Sequence, residues 1–337
     1  MNPVKVGVIG AGYWGPNLIR NFVEIPQAEL QVVADLREDR REHIQSRYPQ
    51  LGTVSDFNEL LLADIEAVAI ATSASSHYPL AKACLEAGKH VLIEKPMAQS
   101  CDQARELLEL GRKLNKVVMV GHTFLYNPAV RALREIIHSG EIGEVYYVNT
   151  TRVNLGLYQS DVDVVWDLAP HDISILLYLL DLMPTSVSAR GGMFAKAGKH
   201  DVAYITLYFP NGVMSDSRVS WLDPCKIRQV TIVGSKKMIV YDDIEPVEKI
   251  KIYDKGVEVQ PYSDTFEEFH LAYRYGEAVS YPIEWAEPLR IECTSFLEAI
   301  QNGAPIPTDA AEGLKVTQVL EAAHFSLLNG HYQEIIP

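Results

Sequence analysis

The chain has few cysteines and no long hydrophobic run. Its four cysteines are widely separated, which predicts neither a disulfide framework nor the paired cysteines of a zinc site. The most apolar later stretch, Ile173 to Leu182, contains polar residues and is too short to span a bilayer. The N-terminus lacks a signal-peptide pattern. These absences predict a cytoplasmic protein with no membrane partner and no metal site.

Cations are also scarce, because 30 Lys and Arg residues face 44 Asp and Glu residues, for a net charge of −14. Binding to a nucleic acid backbone needs clustered Lys and Arg, so no nucleic-acid partner is predicted. A small anionic ligand is not excluded, since a few local cations suffice. The length of 337 residues and the 47% hydrophobic content predict about two globular domains with sizeable cores.

Short apolar runs alternate with helical patterns over the first third of the chain. Buried strands are predicted at 4–9, 30–34, 67–71, 90–93 and 116–120. Such alternation is typical of a doubly wound parallel sheet whose strands are covered on both faces. We therefore predict an α/β fold whose first domain, residues 1–122, is a Rossmann domain.

The apolar period changes to two in the second part of the chain. Residues 202–209 alternate in this way, further strands follow up to Tyr253, and helices return at 287–301 and 310–328. This pattern predicts an α+β domain over residues 123–337, with an open and mostly antiparallel sheet.

A glycine-rich sequence comes directly after the first predicted strand. Gly10-Ala11-Gly12-Tyr13-Trp14-Gly15 has the spacing G-x-G-x-x-G and opens a predicted helix, as a dinucleotide-binding turn requires. Gly10 permits the tight turn, Gly12 lets backbone approach a pyrophosphate, and Gly15 lets the helix pack closely. Tyr13 and Trp14 are included in the predicted cofactor site. The alternative is a glycine turn in a fold that has lost its cofactor.

Asp35 stands at the end of the second predicted strand, 20 residues after Gly15. A carboxylate there accepts hydrogen bonds from both ribose hydroxyls and repels a 2′-phosphate, so NAD is predicted over NADP. The neighbouring Arg37, Arg40 and Arg41 weaken that preference slightly.

Polar residues follow two further strands at the edge where α/β sheets bind ligands. Thr72 and His77 are predicted to contact the cofactor, with helix capping as the alternative. Glu94 is predicted to contact the nicotinamide ribose. Lys95 is predicted to reach the nicotinamide region and stabilise a developing alkoxide, although a lone lysine is usually a solvated surface charge. Pro96 fixes the turn, and a cis bond there would aim Lys95.

Asp167 and His171 are four residues apart, so they share one face of a helix. Pro170 is tolerated only in a first turn, which predicts that the helix opens at Asp167. An imidazole titrates near neutral pH, so His171 is a candidate to take a hydroxyl proton. Asp167 would orient it or bind substrate. The alternative is a capping aspartate with a buried structural histidine.

Together these residues resemble the Gfo/Idh/MocA oxidoreductase family over nearly the whole chain. The resemblance rests on the glycine turn, the Glu94-Lys95-Pro96 triplet and the Asp167-x-x-x-His171 pair. It implies a Rossmann domain followed by an open sheet that carries substrate contacts and oligomer interfaces. It also implies that Lys95 and His171 are the catalytic pair, with Asp167 beside them.

Three segments further resemble a subgroup of this family that acts on nucleotide-linked amino sugars and includes UDP-N-acetylglucosamine 3-dehydrogenases. They are residues 127–130, 152–156 and 166–172. The implied reaction is oxidation at C3 to a ketone, which a PLP-dependent aminotransferase then aminates. Arg152 would meet a diphosphate or carboxylate, and Asn154 and Tyr126 would meet sugar hydroxyls. Alternatively, Arg152 is an exposed cation on a strand, Asn154 is a turn residue and Tyr126 is a core aromatic.

The predicted function is an NAD-dependent dehydrogenase that oxidises a secondary hydroxyl of a sugar or nucleotide sugar. In this hypothesis His171 takes the hydroxyl proton while Lys95 stabilises the oxyanion. The alternatives are a free-sugar or inositol dehydrogenase, a ketosugar reductase, and a non-catalytic NAD-binding regulator. The second sheet is predicted to bury one face against another subunit, in a homodimer or homotetramer.

Overall fold

The computed structural model describes residues 2–156, 158–159, 161–259 and 271–335, which form two sheets with their covering helices. The strands of the first sheet are β1 (Val4–Ile9), β2 (Ala28–Ala34), β3 (Gly52–Val54), β4 (Ala67–Ile70), β5 (His90–Glu94) and β6 (Val118–Gly121). The helices between them are α1 (Gly15–Glu24), α2 (Glu38–Arg47), α3 (Phe57–Leu62), α4 (Ala74–Glu86) and α5 (Cys101–Leu114). The strands are parallel in the order β3-β2-β1-β4-β5-β6, which confirms the predicted doubly wound sheet.

The second sheet follows a 3-10 turn (Thr123–Tyr126) and helix α6 (Pro128–His138). Its strands are β7 (Val145–Val153), β8 (Ser186–Gly192), β9 (Val202–Tyr208), β10 (Met214–Ser220), β11 (Ile227–Gly234), β12 (Met238–Asp242), β13 (Ile250–Val259), β14 (Leu271–Tyr281) and β15 (Gln333–Glu334). The remaining helices are α7 (Val164–Leu180), α8 (Pro288–Asn302) and α9 (Ala310–Asn329).

The nine strands of this sheet run in the order β14-β13-β12-β11-β7-β10-β9-β8-β15. β7 and β10 pair in parallel, and the other described pairs are antiparallel, as predicted. Along β9, Ala203, Ile205 and Leu207 are fully buried in the core that includes α7 and α9, whereas Tyr204 and Tyr208 are exposed. The alternation therefore marks one packed face and one open face. Within the described ranges, no helix has the length and hydropathy needed to cross a membrane.

The first sheet has a crevice where its strand order reverses. From β1 the chain turns to β2 on one side, while β4 lies on the other side of β1. Gly10 follows β1 with a φ of +99°, and a Cβ placed on it would lie 2.6 Å from the Ala71 carbonyl oxygen after β4. Both requirements select glycine. Ligands of doubly wound sheets bind at this kind of switch point.

Helix α8 returns from the second sheet to the first. Its apolar stripe, which includes Leu289 and Phe296, shares one core with Leu18 and Phe22 of α1. The sequence division assigned this helix to the second domain, because the helix follows the antiparallel strands in the chain. Gly121 ends the first sheet and Val145 begins the second, on either side of the predicted boundary.

Helix α7 begins earlier than predicted. Asp163 is its N-cap, and one carboxylate oxygen accepts hydrogen bonds from the amides of Val165 and Trp166 at 3.1 and 3.2 Å. Asp167 is therefore not the cap, and Pro170 lies inside the helix. The prediction that the helix opens at Asp167 was wrong. Pro170 has no N–H for the carbonyl four residues earlier, so it interrupts the ladder of helix hydrogen bonds.

A buried ion pair joins α7 to the second sheet. The Arg152 guanidinium on β7 donates three hydrogen bonds to the Asp172 carboxylate, at 3.0 to 3.1 Å. Both side chains are almost fully buried, and the guanidinium stacks on Phe124 at 4.4 Å from the ring centre. Charges buried this deeply need a partner, so each residue holds the other in place.

Replacing Arg152 with methionine (Arg152→Met) is expected to lower the free energy of unfolding by about 3–5 kcal/mol, because the Asp172 carboxylate stays buried without its cation. The control Arg105→Met breaks an exposed pair with Asp102 and should cost less than about 1 kcal/mol. Urea unfolding of both variants measures the difference. An equally small loss in both would contradict a structural role for the buried pair.

Candidate active site

One cleft of ≈ 1630 Å³ runs between the two domains. Its walls include Gly12 and Asp35 from the first domain and His171 and Arg228 from the second, with Lys95 between them. Sites for a single small molecule usually measure about 300–1,000 Å³. The cleft is therefore large enough for a dinucleotide together with a second molecule.

The glycine turn forms one end of this cleft and fits a pyrophosphate. A Cβ added to Gly12 would meet nothing within 4 Å, whereas one on Gly15 would lie 2.0 Å from the Gly10 carbonyl oxygen. Helix α1 has no side-chain cap and no acidic residue in its first turn, so its free amides face an anion unopposed. Tyr13 and Trp14 also line the cleft.

Asp35 lies directly beside the glycine turn. Its carboxylate accepts hydrogen bonds from the amides of Ala11, at 2.6 Å, and Arg37, at 2.9 Å. Two of the three arginines that weakened the preference for NAD have hydrogen-bond partners: Arg37 pairs with Asp39, and Arg41 donates to the main-chain oxygen of Asp35. Arg40 approaches Asp39 only to 3.7 Å, and its Nε has no hydrogen-bond partner among the described residues. The Asp35 carboxylate itself favours a ribose hydroxyl over a phosphate.

Thr72 and His77 follow β4 at the same edge of the sheet, and both line the cleft. His77 is buried, and its two ring nitrogens lie 2.8 Å from the Pro96 carbonyl oxygen and 3.2 Å from that of Thr72. Its polar atoms thus connect two strand-end loops and are not turned to a ligand. The Thr72 hydroxyl accepts a hydrogen bond from Ser76 at 2.7 Å.

Glu94 ends β5 and belongs to a buried pair of acids. Burial raises its pKa to about 7, against the opposing effects of Lys95 and a hydrogen bond from the Trp14 side chain. Glu292 on α8 is fully buried, and burial and the Glu94 carboxyl raise its pKa well above the usual value. The two acids therefore hold at least one proton near neutral pH, since two adjacent buried carboxylates repel each other.

Lys95 joins the two domains at the centre of the cleft. Its ammonium donates hydrogen bonds to the main-chain oxygen of Asp167 at 2.7 Å and to the Asp167 carboxylate at 3.1 Å. The other carboxylate oxygen accepts a hydrogen bond from the Trp221 indole at 3.0 Å. Asp167 therefore orients Lys95, although the sequence suggested that it would orient His171. The Lys95–Pro96 peptide bond is cis.

His171 lies on the same turn of α7 and faces the cleft. Its ring packs edge-on against Phe124, with 5.1 Å between the ring centres, and Nδ1 has no hydrogen-bond partner among the described residues. Burial, and then the charges of Lys95 and Arg152, lower its pKa well below the usual value. The imidazole is therefore neutral at pH 7 and can accept a proton.

The three residues predicted to contact substrate lie in different environments. Asn154 lines the cleft. Tyr126 is fully buried and its hydroxyl lies 2.9 Å from that of Thr308, so it is the core aromatic of the alternative interpretation. Arg152 is buried in its ion pair with Asp172 and is not an exposed cation. Contact of a substrate with Tyr126 or Arg152 is therefore not compatible with this structure.

Sequence reasoning missed several residues of the site. Trp221 contacts Asp167, and Phe124 contacts His171. Both are tertiary contacts, which no local sequence pattern indicates. Glu292 could have been recognised from the sequence, because it interrupts the apolar stripe of α8 between Leu289 and Phe296. A carboxyl on an otherwise buried helix face is unusual enough to indicate a special role.

Comparison with known proteins covers both domains. Residues 4–122 match the family model described as "Oxidoreductase family, NAD-binding Rossmann fold". Residues 130–240 match the GFO/IDH/MocA C-terminal domain. The two matches together span well over half of the chain, and they agree with the positions of the two sheets.

Individual relatives are similar along nearly the whole chain. The UDP-N-acetylglucosamine 3-dehydrogenase of Acidithiobacillus ferrooxidans is 27% identical over 93% of this chain and 94% of its own length. The myo-inositol 2-dehydrogenase of Thermotoga maritima is 24% identical over 96% of both chains. The solved structure of GenD2 from gentamicin A biosynthesis in complex with NAD has a TM-score of 0.84 at 21% identity, covering 100% of this chain and 97% of that one. The cofactor is NAD, as the sequence predicted.

Two glycine variants separate folding from cofactor binding. Gly15→Ala is expected to lower the free energy of unfolding by about 1–3 kcal/mol, because its methyl group overlaps the Gly10 carbonyl oxygen. Gly12→Ala should change it by less than about 0.5 kcal/mol, yet should weaken NAD binding because the methyl group fills the pyrophosphate space. Urea unfolding and NAD titration provide the two measurements. Unchanged NAD affinity in Gly12→Ala would refute the assigned position of the pyrophosphate.

The buried acids predict a loss of stability as pH rises. Their folded pKa values lie above the ordinary 4.5, so stability is fully present below about pH 4.5 and is lost as pH rises through about 7 and above. The slope is at most about 1.4 kcal/mol per pH unit for each proton. Glu292→Gln should flatten this decline in urea unfolding between pH 5 and 8. Glu298→Gln, an exposed change on the same helix, should leave the decline as it is.

Proposed function

We propose that this chain, which belongs to the Gfo/Idh/MocA family of oxidoreductases, oxidises a secondary hydroxyl of a sugar with NAD as the hydride acceptor. The observation that carries the proposal is the meeting of Lys95, Asp167 and His171 in the cleft that begins at the glycine turn. An ammonium, a carboxylate and a neutral imidazole in one such cleft are the groups that alcohol oxidation needs.

Lys95 supplies the positive charge for the reacting oxygen. An ammonium has three N–H donors, and two of them are directed to Asp167. The third can donate to the substrate hydroxyl, and it stabilises negative charge that develops on that oxygen as the C–H bond breaks. Asp167 keeps the ammonium in place, and Trp221 keeps Asp167 in place.

His171 takes the hydroxyl proton. Its lowered pKa keeps the ring unprotonated before the reaction, and the residue lines the cleft. Burial and the charges of Lys95 and Arg152, which lower the pKa, also disfavour the imidazolium, so the proton should pass on to solvent. NAD, when bound, supplies the acceptor for the hydride.

We further propose that the substrate is a nucleotide-linked amino sugar such as UDP-N-acetylglucosamine, oxidised at C3. Similarity to the Acidithiobacillus ferrooxidans dehydrogenase supports this choice. The size of the cleft also supports it, because the walls continue past His171 to Asn154 and Lys226. The ketone product would be a substrate for a PLP-dependent aminotransferase. The similarity to an inositol dehydrogenase keeps a free polyol as the second candidate.

We also propose that the chain forms a homodimer or homotetramer through the open face of the second sheet. Tyr147, Tyr204, Tyr208 and Met214 are exposed on neighbouring strands of that face. A contiguous apolar patch of this kind favours burial against a second subunit.

Lys95→Ala is expected to lower kcat by about 10²–10³-fold, because it removes the donor to the developing oxyanion. The NAD dissociation constant should change little, since the pyrophosphate is bound at the glycine turn. Steady-state rates and NAD titration test both expectations. The control Lys82→Ala removes a surface lysine paired with Glu106 and should leave both values unchanged. Wild-type turnover in Lys95→Ala would exclude the proposed role.

The substrate is identified by screening UDP-sugars, free hexoses and inositols with NAD and recording the absorbance of reduced nicotinamide. We expect the highest kcat/KM with UDP-N-acetylglucosamine. A higher value with inositol or a free hexose would support the second candidate. No reduction with any of these compounds would contradict the proposed activity on sugars.

A further inference from the structure

We propose that Lys226 and Arg228 bind an anionic group of the substrate, a phosphate or a carboxylate, at the second-domain end of the cleft. The proposal rests on the proposed function, because it names the part of the substrate that lies beyond the reacting hydroxyl. The sequence analysis predicted that Arg152 would contact such an anion. In this proposal Lys226 and Arg228 make that contact instead.

Arg228 is the accessible member of a pair of arginines. It lies directly opposite Arg152 in the register of β11 and β7, so both side chains are on the face of the sheet beneath α7. Arg152 donates three hydrogen bonds to Asp172 and is almost fully buried, so a ligand in the cleft does not reach it. The Arg228 side chain is 38% exposed, lines the cleft, and approaches Asp243 only to 3.6 Å. Its guanidinium therefore keeps donors available for a ligand.

Lys226 extends this positive surface toward the mouth of the cleft. It lies directly before β11, two residues before Arg228, and both residues line the cleft. Lys226 is exposed, lines the cleft, and has no carboxylate partner among the residues that the structure describes. The chain has a net charge of −14, so most cations are expected to have an acidic partner, and Lys226 is an exception among the described residues.

The acidic groups around these cations are already engaged. Asp243 accepts a hydrogen bond from the Tyr241 hydroxyl at 2.9 Å besides its contact with Arg228. Asp223 pairs with Arg218 and accepts the Cys225 amide. Asp161, across the cleft, accepts the Ser75 amide at 3.3 Å. No described carboxylate pairs with Lys226, so its side chain remains available to an anionic ligand.

The two cations lie where they could contact a part of the substrate other than the reacting hydroxyl. Arg228 is close enough to His171 for its charge to lower the pKa of the imidazole. An anion bound to Lys226 and Arg228 would contact the second-domain wall of the cleft, whereas the reacting hydroxyl would lie at Lys95 and His171. Contacts to such a remote group act mainly on substrate binding, and less on the chemical step.

The test compares KM for substrates with and without an anion. Lys226→Ala is expected to raise KM about ten-fold or more for UDP-N-acetylglucosamine or for glucuronate, as loss of a charge-assisted contact predicts. The change for N-acetylglucosamine or myo-inositol should be under about two-fold, and kcat should change much less than KM. An effect confined to the UDP-sugar identifies a phosphate as the bound group, and one confined to glucuronate identifies a carboxylate. Equal effects on charged and neutral sugars would overturn the proposal.

The control Lys113→Ala removes the same charge from an exposed position on α5 outside the cleft, and it should leave every KM unchanged. Arg228→Gln should raise the same KM values as Lys226→Ala. Higher salt should reduce the difference between wild type and Lys226→Ala for charged substrates, because the contact is electrostatic.

A binding measurement separates failure of this proposal from failure of the proposed function. UDP and inorganic pyrophosphate are titrated by calorimetry with NAD saturating, because the glycine turn also binds diphosphates. Weaker binding of either probe to Lys226→Ala than to Lys113→Ala supports the anion site even if no sugar is oxidised. Equal binding of both probes and of glucuronate to the two variants, together with normal sugar oxidation, would overturn the anion site alone.

Discussion

The hydrogen bonds between Lys95 and Asp167 are the contact on which the rest of the site depends. Lys95 follows the last residue of β5, whereas Asp167 lies in the first turns of α7, so the contact fixes one domain against the other. A carboxylate oxygen and a main-chain oxygen of Asp167 thus replace water around the largely buried Lys95 side chain. Trp221 and the ion pair of Arg152 fix α7 in turn. A few polar contacts between otherwise apolar elements therefore determine the shape of the cleft.

Charge around the imidazole follows from the same arrangement. Burial and then the charges of Lys95 and Arg152 lower the pKa of His171, while Asp167 and Asp172 are paired with those two cations. A histidine in such a field stays neutral, which is the form required of a base. The same field would favour an anionic substrate over a neutral one. The same charges would therefore keep the imidazole neutral and favour binding of an anionic substrate.

The sequence predicted the architecture well because local rules specify it. The glycine turn, Asp35 at a strand end and the alternating residues of β9 all depend on neighbours within a few positions. The start of α7 was misplaced because Pro170 was given more weight than the capping aspartate at 163. Tyr126 and Arg152 were misassigned because burial depends on which elements pack together, and spacing carries no such information. Lys226 was overlooked for the same reason.

The return of α8 to the first sheet has a practical consequence for engineering. Because this helix completes the core beneath β1, neither domain is a continuous piece of the chain. A fragment that stops at Gly121 would expose the apolar residues that α8 normally covers, and it is a poor candidate for an isolated cofactor-binding module. Chimaeras that exchange substrate domains between relatives should therefore transfer the middle of the chain and retain residues 288–302 with their original partner.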